Sequence, residues 1–223
     1  MRRVALAFAG LALLVVSAGV ASASTVTVTL TGAGGVISNN GSVFVGPYQL
    51  LVGGQAINAP CDDYSDEIWV GESWKANENP LTAAGVSSSL FGSHAGADQL
   101  YLEAAYLTSL FGKEPTSDYN DIAYAIWGLF DPAALVSSNY SSGAESFLTQ
   151  AQDAPLSFSE FNGWQILTPI NGSQSQGGRP QEFIIPGGNP SATPEPAALA
   201  LLGSGLLAVG LAVRKKRASS PLA

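Results

Sequence analysis

The chain has 223 residues, of which 46% are hydrophobic, and carries a formal net charge of −8. Its acidic residues are concentrated in residues 24–193, which hold every Asp and Glu except Glu195 but only three basic residues, Lys75, Lys113 and Arg179. With 16 acids and 3 bases, this central part has a net charge of −13. Such a surface repels nucleic acid and anionic lipid, and we exclude DNA and RNA as partners.

The first 23 residues have the pattern of a secretory signal peptide. Arg2 and Arg3 precede an apolar stretch at residues 4–16, and the Ala-Ser-Ala sequence at residues 21–23 places small side chains at the cleavage-defining positions. We therefore expect an exported mature chain that begins at Ser24. The alternative is an N-terminal membrane anchor that is not removed.

The C-terminal end has three consecutive parts. The first is the tripeptide Pro194-Glu195-Pro196, and the second is an apolar stretch at residues 197–213 with Ser204 as its only polar residue. As a helix these 17 residues would rise about 26 Å, enough to cross a bilayer core. The third part is a basic cluster, which stays on the cytoplasmic side of a membrane and consists of Arg214, Lys215, Lys216 and Arg217. Residues 218–223 would then form a short cytoplasmic tail.

This order of Pro-Glu-Pro, apolar span and basic stop resembles the PEP-CTERM sorting signal. The resemblance implies a Gram-negative bacterium that makes exopolysaccharide, and an exosortase that cleaves near the tripeptide. The precursor is then expected to sit in the inner membrane with its domain facing the periplasm, before it reaches the outer surface or the extracellular matrix. The expected organisation is a signal peptide at 1–23, a domain at 24–186, a linker at 187–193 and a sorting signal at 194–217.

The central part is long enough for one domain with a hydrophobic core. Threonine alternates with aliphatic residues from Thr25 to Leu30, which predicts a half-buried strand. Further strands are predicted at residues 43–45, 48–52 and 68–74, and then near Phe158, at 164–170 and at 182–185. Between these groups, helical spacing predicts three helices. The fold class is therefore α+β, a β-sandwich or barrel with a helical insertion.

Residue types that cap helices predict where the three helices begin. Asp98 is expected to cap the first, and Ser117 or Asp118 the second. Ser142 and Glu145 have the spacing of a capping box for the third.

The lone cysteine, Cys61, excludes an intrachain disulfide. Three segments of the central part resemble PEP-CTERM proteins of unknown function. In chain order they are Cys61-Asp62-Asp63-Tyr64, the helix with Ala125-Ile126-Trp127, and Pro180-Gln181-Glu182-Phe183. They also resemble, more distantly, the thioester domains of bacterial adhesins. That second resemblance implies a bond between a cysteine and a glutamine in a Gln-x-Ala-Ile-Trp motif.

Here the motif position is occupied by Ala123, whose methyl group has no acyl carbon to form the bond. Cys61 and Ala123 are therefore expected to form a degenerate thioester site. Gln99 and Gln150 lie elsewhere in the chain and are the alternative partners that a covalent adhesin would need.

Few residues have the chemistry of a catalytic or metal site. A hydrolase would have to pair Cys61 with His94, the only histidine, which is expected in an exposed loop. One cysteine and one histidine do not make a usual zinc site, and Asp62 and Asp63 are expected in a solvated loop. We therefore expect no cofactor and a non-enzymatic surface or matrix protein, with exosortase, the inner membrane and extracellular polysaccharide as partners. The covalent adhesin and the hydrolase are the alternative functions.

Overall fold

The computed structural model describes residues 24–41, 43–170, 172–173 and 176–187. Six strands form one antiparallel sheet in the order β3-β2-β1-β4-β5-β6. They are β1 (Ser24–Gly32), β2 (Tyr48–Val52), β3 (Gln55–Ala59), β4 (Ser73–Pro80), β5 (Gln165–Pro169) and β6 (Phe183–Ile185). The expected signal peptide and sorting signal, including the span at residues 197–213, lie outside the described residues.

The two edges of the sheet meet and nearly close it into a barrel. Just beyond β3, Cys61 forms an antiparallel bridge with Phe183 of β6. The amide of Asp62 then donates to the carbonyl oxygen of Glu182 at 3.3 Å. We call this junction of residues 61–63 with residues 181–183 the seam. Of the two predicted architectures, the barrel is the one observed.

The predicted alternation in β1 is confirmed by its burial. Val28 and Leu30 point into the core, whereas Thr25 and Thr27 are exposed. Strand β3 was not predicted, although the chain turns into it through Gly53-Gly54. Both glycines have positive φ, 57° and 90°, which a two-residue type I′ hairpin requires.

The helices lie between β4 and β5, which confirms the predicted helical insertion. They are α1 (Ala83–Val86), α2 (Ala97–Thr108), α3 (Tyr119–Phe130), α4 (Pro132–Leu135) and α5 (Ser142–Asp153). Helix α3 packs against α2 and α5, and α2 also contacts β6. Because α3 is buried along most of its length, it forms the centre of the helical layer.

Two strand predictions were wrong, and a third was right only for its last two residues. Residues 43–45 contribute only an isolated bridge between Phe44 and Ile37. The segment predicted from residue 68 is irregular until β4 begins at Ser73. Phe158 begins a 3₁₀ helix, Phe158–Phe161, rather than a strand. In each case aliphatic or aromatic residues pack on the core outside the six-stranded sheet, and among the described residues 43–45 pair only with residues 36–38.

The predicted cap of α2 was wrong, and that of α3 is confirmed in position only. The N-cap of α2 is Gly96, with a φ of 75°, and Asp98 lies inside the first turn. Asp118 does occupy the N-cap position of α3, but its side chain makes no capping hydrogen bond. A 3₁₀ turn, Thr116–Asp118, leads directly into α3 and replaces the side-chain cap.

Helix α5 begins one residue earlier than the capping-box pattern suggested. Its N-cap is Ser141, whose Oγ accepts hydrogen bonds from the amides of Gly143 and Ala144 at 2.9 and 3.2 Å. Ser142 is the first helical residue, so Glu145 is displaced by one position from the place a capping box requires.

We predict that Phe183→Ala destabilises the domain by about 3–5 kcal/mol, because the ring is fully buried and its removal leaves a cavity at the seam. The ring lies 5.8 Å from that of Tyr48 and 6.2 Å from that of Trp74, measured between centroids. Equilibrium urea unfolding measures the effect. As the control, Val136→Ala at a residue that is 84% exposed should change the free energy of unfolding by less than about 0.5 kcal/mol. Equal effects of the two substitutions would contradict the role given to Phe183.

Candidate functional site

Cys61 is buried at the seam, where only 1% of its surface is exposed. The indole N–H of Trp127 in α3 points at it, with Nε1 3.0 Å from the Cys61 carbonyl oxygen and 3.3 Å from Sγ. The hydroxyl of Tyr48 lies within hydrogen-bonding reach of the same thiol. The helix, β2 and the seam therefore converge on the cysteine.

Ala123 lies on α3 one turn before Trp127, so both side chains point to the same side of the helix. Ala123 is 2% exposed. The two alternative glutamines are elsewhere: Gln99 donates to Glu103 within α2, and Gln150 is exposed on α5. In the described part of the chain neither glutamine contacts Cys61, so this geometry gives no support to a thioester.

His94 is exposed, as expected, and its ring lies 5.4 Å from the ring of Phe91. Cys61 contacts Trp127 and Tyr48 instead. Burial raises the pKa of the Cys61 thiol to about 12. At neutral pH the group is therefore a protonated thiol without the base that a nucleophilic cysteine needs.

Asp62 and Asp63 are buried, so the expectation of a solvated loop was wrong. Each is 1% exposed because the seam covers both residues. The carboxyl of Asp62 lies against that of Glu182, which is also fully buried. Neither oxygen of Asp62 receives a hydrogen bond from an N–H or O–H group of the described residues.

The carboxyl of Glu182, in contrast, is surrounded by donors. The amide of Leu90 donates to it at 2.9 Å, and the hydroxyls of Tyr101 and Thr168 also bond to it. Burial raises the pKa of both carboxyls, and the charge of Glu182 raises the pKa of Asp62 further. A proton held on Asp62 and donated to the Glu182 carboxylate accounts for the arrangement, because it leaves one charge with several donors.

Asp63 organises the next turn. Its Oδ1 accepts from the amides of Ser65 and Asp66 at 3.1 and 3.2 Å. Its Oδ2 receives no hydrogen bond, although the Arg179 guanidinium lies 3.6 Å away and binds Asp66 more closely. Burial and the neighbouring Asp66 raise the pKa of Asp63 to about 7, against the lowering effect of Arg179.

An open cavity of about 280 Å³ lies beside this turn. Its floor includes the buried rings of Tyr48 and Trp127, the same two side chains that contact Cys61. Its rim includes Trp69, which is 51% exposed, and Phe44, which is 42% exposed. We call this cavity the aromatic pocket. It has the concave shape and the mainly apolar lining of a ligand site.

Sequence reasoning missed both the buried carboxyl pair and the aromatic pocket. The sequence contains both motifs, Cys61-Asp62-Asp63-Tyr64 and Pro180-Gln181-Glu182-Phe183, but their spacing does not indicate that they pair across the seam. In the described part of the chain, no group of three or more metal-ligating side chains is close enough to hold a metal ion.

Comparison with known proteins identifies the C-terminal end. Residues 192–217 match the family model of the PEP-CTERM protein-sorting motif. No curated protein and no solved structure matched the chain. Among the described residues, no helix combines the length and hydropathy that crossing a membrane requires.

The chain is thus a barrel domain joined to a C-terminal sorting signal. It carries the PEP-CTERM motif, which includes Pro194, Glu195, Pro196 and the basic cluster at 214–217. The motif implies export, a transient stay in the membrane on the way to the cell surface, and processing by an exosortase, itself a membrane protein.

We predict that Cys61 resists alkylation by iodoacetamide in the native protein at pH 8 and reacts once the chain is unfolded in urea. The thiol is buried and its pKa of about 12 leaves almost no thiolate at that pH. Intact-protein mass spectrometry gives an unambiguous count because the chain has one cysteine. Rapid labelling of the native protein, or a native mass lower by one ammonia, would contradict this description of the site.

We also predict that the domain is more stable at pH 5 than at pH 8. Burial raises the pKa values of Asp62 and Asp63, so the folded state keeps protons on them that the unfolded state releases above about pH 4. Stability is then lost as pH rises through the folded pKa values, at up to about 1.4 kcal/mol per pH unit for each retained proton. Thermal unfolding at several pH values measures this dependence.

Asp62→Asn should reduce that pH dependence, because the amide still donates to Glu182 but does not titrate. The control is Asp153→Asn, which removes the same charge from an exposed position on α5. Apart from a small effect of general charge repulsion, this control should leave the difference in melting temperature between pH 5 and pH 8 unchanged. A melting temperature that rises steadily from pH 5 to pH 8 would show that the carboxyls are ionised in the folded state.

Proposed function

We propose that this protein is a non-enzymatic component of the cell surface or of an exopolysaccharide matrix, delivered there through its PEP-CTERM signal. The observation that carries the proposal is the sorting motif at residues 192–217. An exosortase would process the precursor while residues 197–213 hold it in the inner membrane, with the barrel domain facing the periplasm.

The chemistry of the domain favours a binding or structural role over catalysis. The thiol of Cys61 is protonated and buried, and His94 contacts Phe91 rather than the cysteine. The carboxyl pair of Asp62 and Glu182 is enclosed in the core, out of reach of a substrate. Cys61, Asp62 and Glu182 lie at the seam, so their role is in closing the barrel.

The charge of the domain restricts which polymer it contacts. Residues 24–193 have a net charge of −13, so acidic polysaccharides are repelled at low and moderate ionic strength. We expect the extracellular polysaccharide partner to be neutral or basic.

The proposal is tested by following the full chain in a bacterium that has an exosortase and makes exopolysaccharide. The wild-type chain should appear in the surface or matrix fraction, with a mass that shows loss of both ends. A variant with Pro194, Glu195 and Pro196 all changed to Ala should accumulate in the membrane fraction as a longer precursor, because the motif is then lost.

The matched control is Ser191→Ala, which lies just outside the matched residues. It should reach the matrix like the wild type. A wild-type chain that stays in the inner membrane, or a triple variant sorted normally, would refute the proposed route. In a strain without exopolysaccharide the processed protein should be released to the medium, and unchanged retention would refute the matrix role.

A further inference from the structure

We propose that the aromatic pocket binds a quaternary ammonium group, such as the trimethylammonium of choline, between aromatic rings and carboxylates. This inference does not depend on the route by which the protein is sorted. It rests on four features of the pocket: its ring lining, its acidic edge, a buried carboxylate oxygen that accepts no hydrogen bond from the described residues, and its size.

The lining is unusually rich in aromatic rings. Phe44, Tyr48, Tyr64, Trp69 and Trp127 all contribute to it. The faces of such rings carry partial negative charge and attract organic cations, and quaternary ammonium ligands are commonly held this way. Because Trp69 is 51% exposed at the rim, its ring is available to cover a ligand.

The ring positions are held by contacts with the barrel and α3. Tyr64 packs against Trp127 with 5.5 Å between the ring centroids, and Trp127 is in turn hydrogen bonded to Cys61. The hydroxyl of Tyr48 donates to the carbonyl oxygen of Phe44 at 2.8 Å. The floor of the pocket is therefore preorganised before any ligand arrives.

One edge of the pocket is acidic, with Asp63, Asp66 and Glu67 all lining it. Arg179 supplies one compensating positive charge through its pairs with Asp63 and Asp66. Among the described residues, three carboxylates line the pocket and Arg179 pairs with two of them, and the surrounding domain is strongly acidic as well. Charge complementarity favours a positively charged ligand over a neutral or anionic one.

Asp63 provides the independent indication of a ligand. The residue is 1% exposed and lines the pocket, and its Oδ2 accepts no hydrogen bond from the described residues. The Arg179 guanidinium lies 3.6 Å from this oxygen but binds Asp66 more closely, so it compensates the buried charge only in part. A second cation in the pocket would add to that compensation. Quaternary ammonium has no N–H to donate, so its attraction to this oxygen is electrostatic and needs no exact hydrogen-bond geometry.

The volume of about 280 Å³ is just below the usual range for small-molecule pockets, roughly 300–1,000 Å³. It therefore suits a small head group rather than a long oligomer. The trimethylammonium group presents apolar methyls to the rings and keeps its charge at every pH. A change of choline affinity with pH therefore reports on the protein and not on the ligand.

The test is isothermal titration of the full chain, purified in a maltoside detergent, with choline chloride at pH 8. Detergents with choline head groups must be avoided because they would occupy the pocket. The matched ligand is 3,3-dimethyl-1-butanol, in which a neutral tert-butyl group replaces trimethylammonium. We expect choline to bind at least tenfold more tightly than this isostere, and to bind more weakly as salt is raised.

Two variants place the binding in the pocket. Trp69→Ala should weaken choline binding by about tenfold, and Trp69→Phe should restore part of it. Asp63→Asn should weaken it several-fold, since Oδ1 can still accept from Ser65 and Asp66 while the charge is lost. The matched controls are Trp164→Ala, a half-buried tryptophan outside the pocket lining, and Asp153→Asn, and both should bind choline normally.

Glycerophosphocholine distinguishes the source of the head group. Binding of both compounds supports a lipid head group as the natural ligand, and binding of choline alone supports a free quaternary amine. Equal binding of choline and its neutral isostere, unchanged affinity in Trp69→Ala and Asp63→Asn, or no binding at 50 mM choline would each overturn the proposal. Sorting of the protein is measured separately, so these results leave the proposed function untouched.

Discussion

The pairing of residues 61–63 with residues 181–183 is the contact on which the rest of the structure depends. The bridge between Cys61 and Phe183 joins the two edges of the sheet, and the Asp62–Glu182 backbone bond extends it. Without this seam, β3 and β6 would be open strand edges, available for pairing with other chains. The same few residues bury the carboxyl pair, hold the thiol and shape one end of the aromatic pocket.

A seam that buries acidic side chains is physically costly unless a proton is retained. Two ionised carboxylates in contact inside a protein would repel strongly, and each would lose its hydration. The donors around Glu182 come from three separate elements. Leu90 lies in the loop that follows α1, Tyr101 lies in α2, and Thr168 lies in β5. The pair therefore links the helical layer to the barrel, so closing the barrel and docking the helices are coupled events. Acidic side chains therefore have two roles in this domain. Those on the surface favour solubility, and the Asp62–Glu182 pair in the core joins the barrel to the helical layer when it retains a proton.

Sequence patterns were sufficient for features that depend on local spacing. The alternation in β1, the apolar runs of β5 and β6 and the helical spacing of α2 and α3 all predicted elements that the structure contains. Features that depend on long-range pairing were not predictable. The burial of Asp62 follows from contact with Glu182, 120 positions later in the chain, and adjacent acids in a single sequence more often indicate a solvated turn. The pocket likewise requires β2, the loop after the seam and α3 to come together.

The resemblance to thioester domains stays a prediction, and the structure shows how the residues that suggested it are arranged. Trp127 lies against Cys61 as an anchor from α3, and Ala123 occupies the turn before it. With a methyl group at residue 123, the cysteine has no acyl partner there, and its burial among Tyr48 and Trp127 makes it a small apolar core residue. Tyr48 and Trp127 contact the sulfur of Cys61 and also line the aromatic pocket. A substitution at Cys61 that displaces Trp127 would therefore change the shape of the pocket, although none of the residues at its rim is altered.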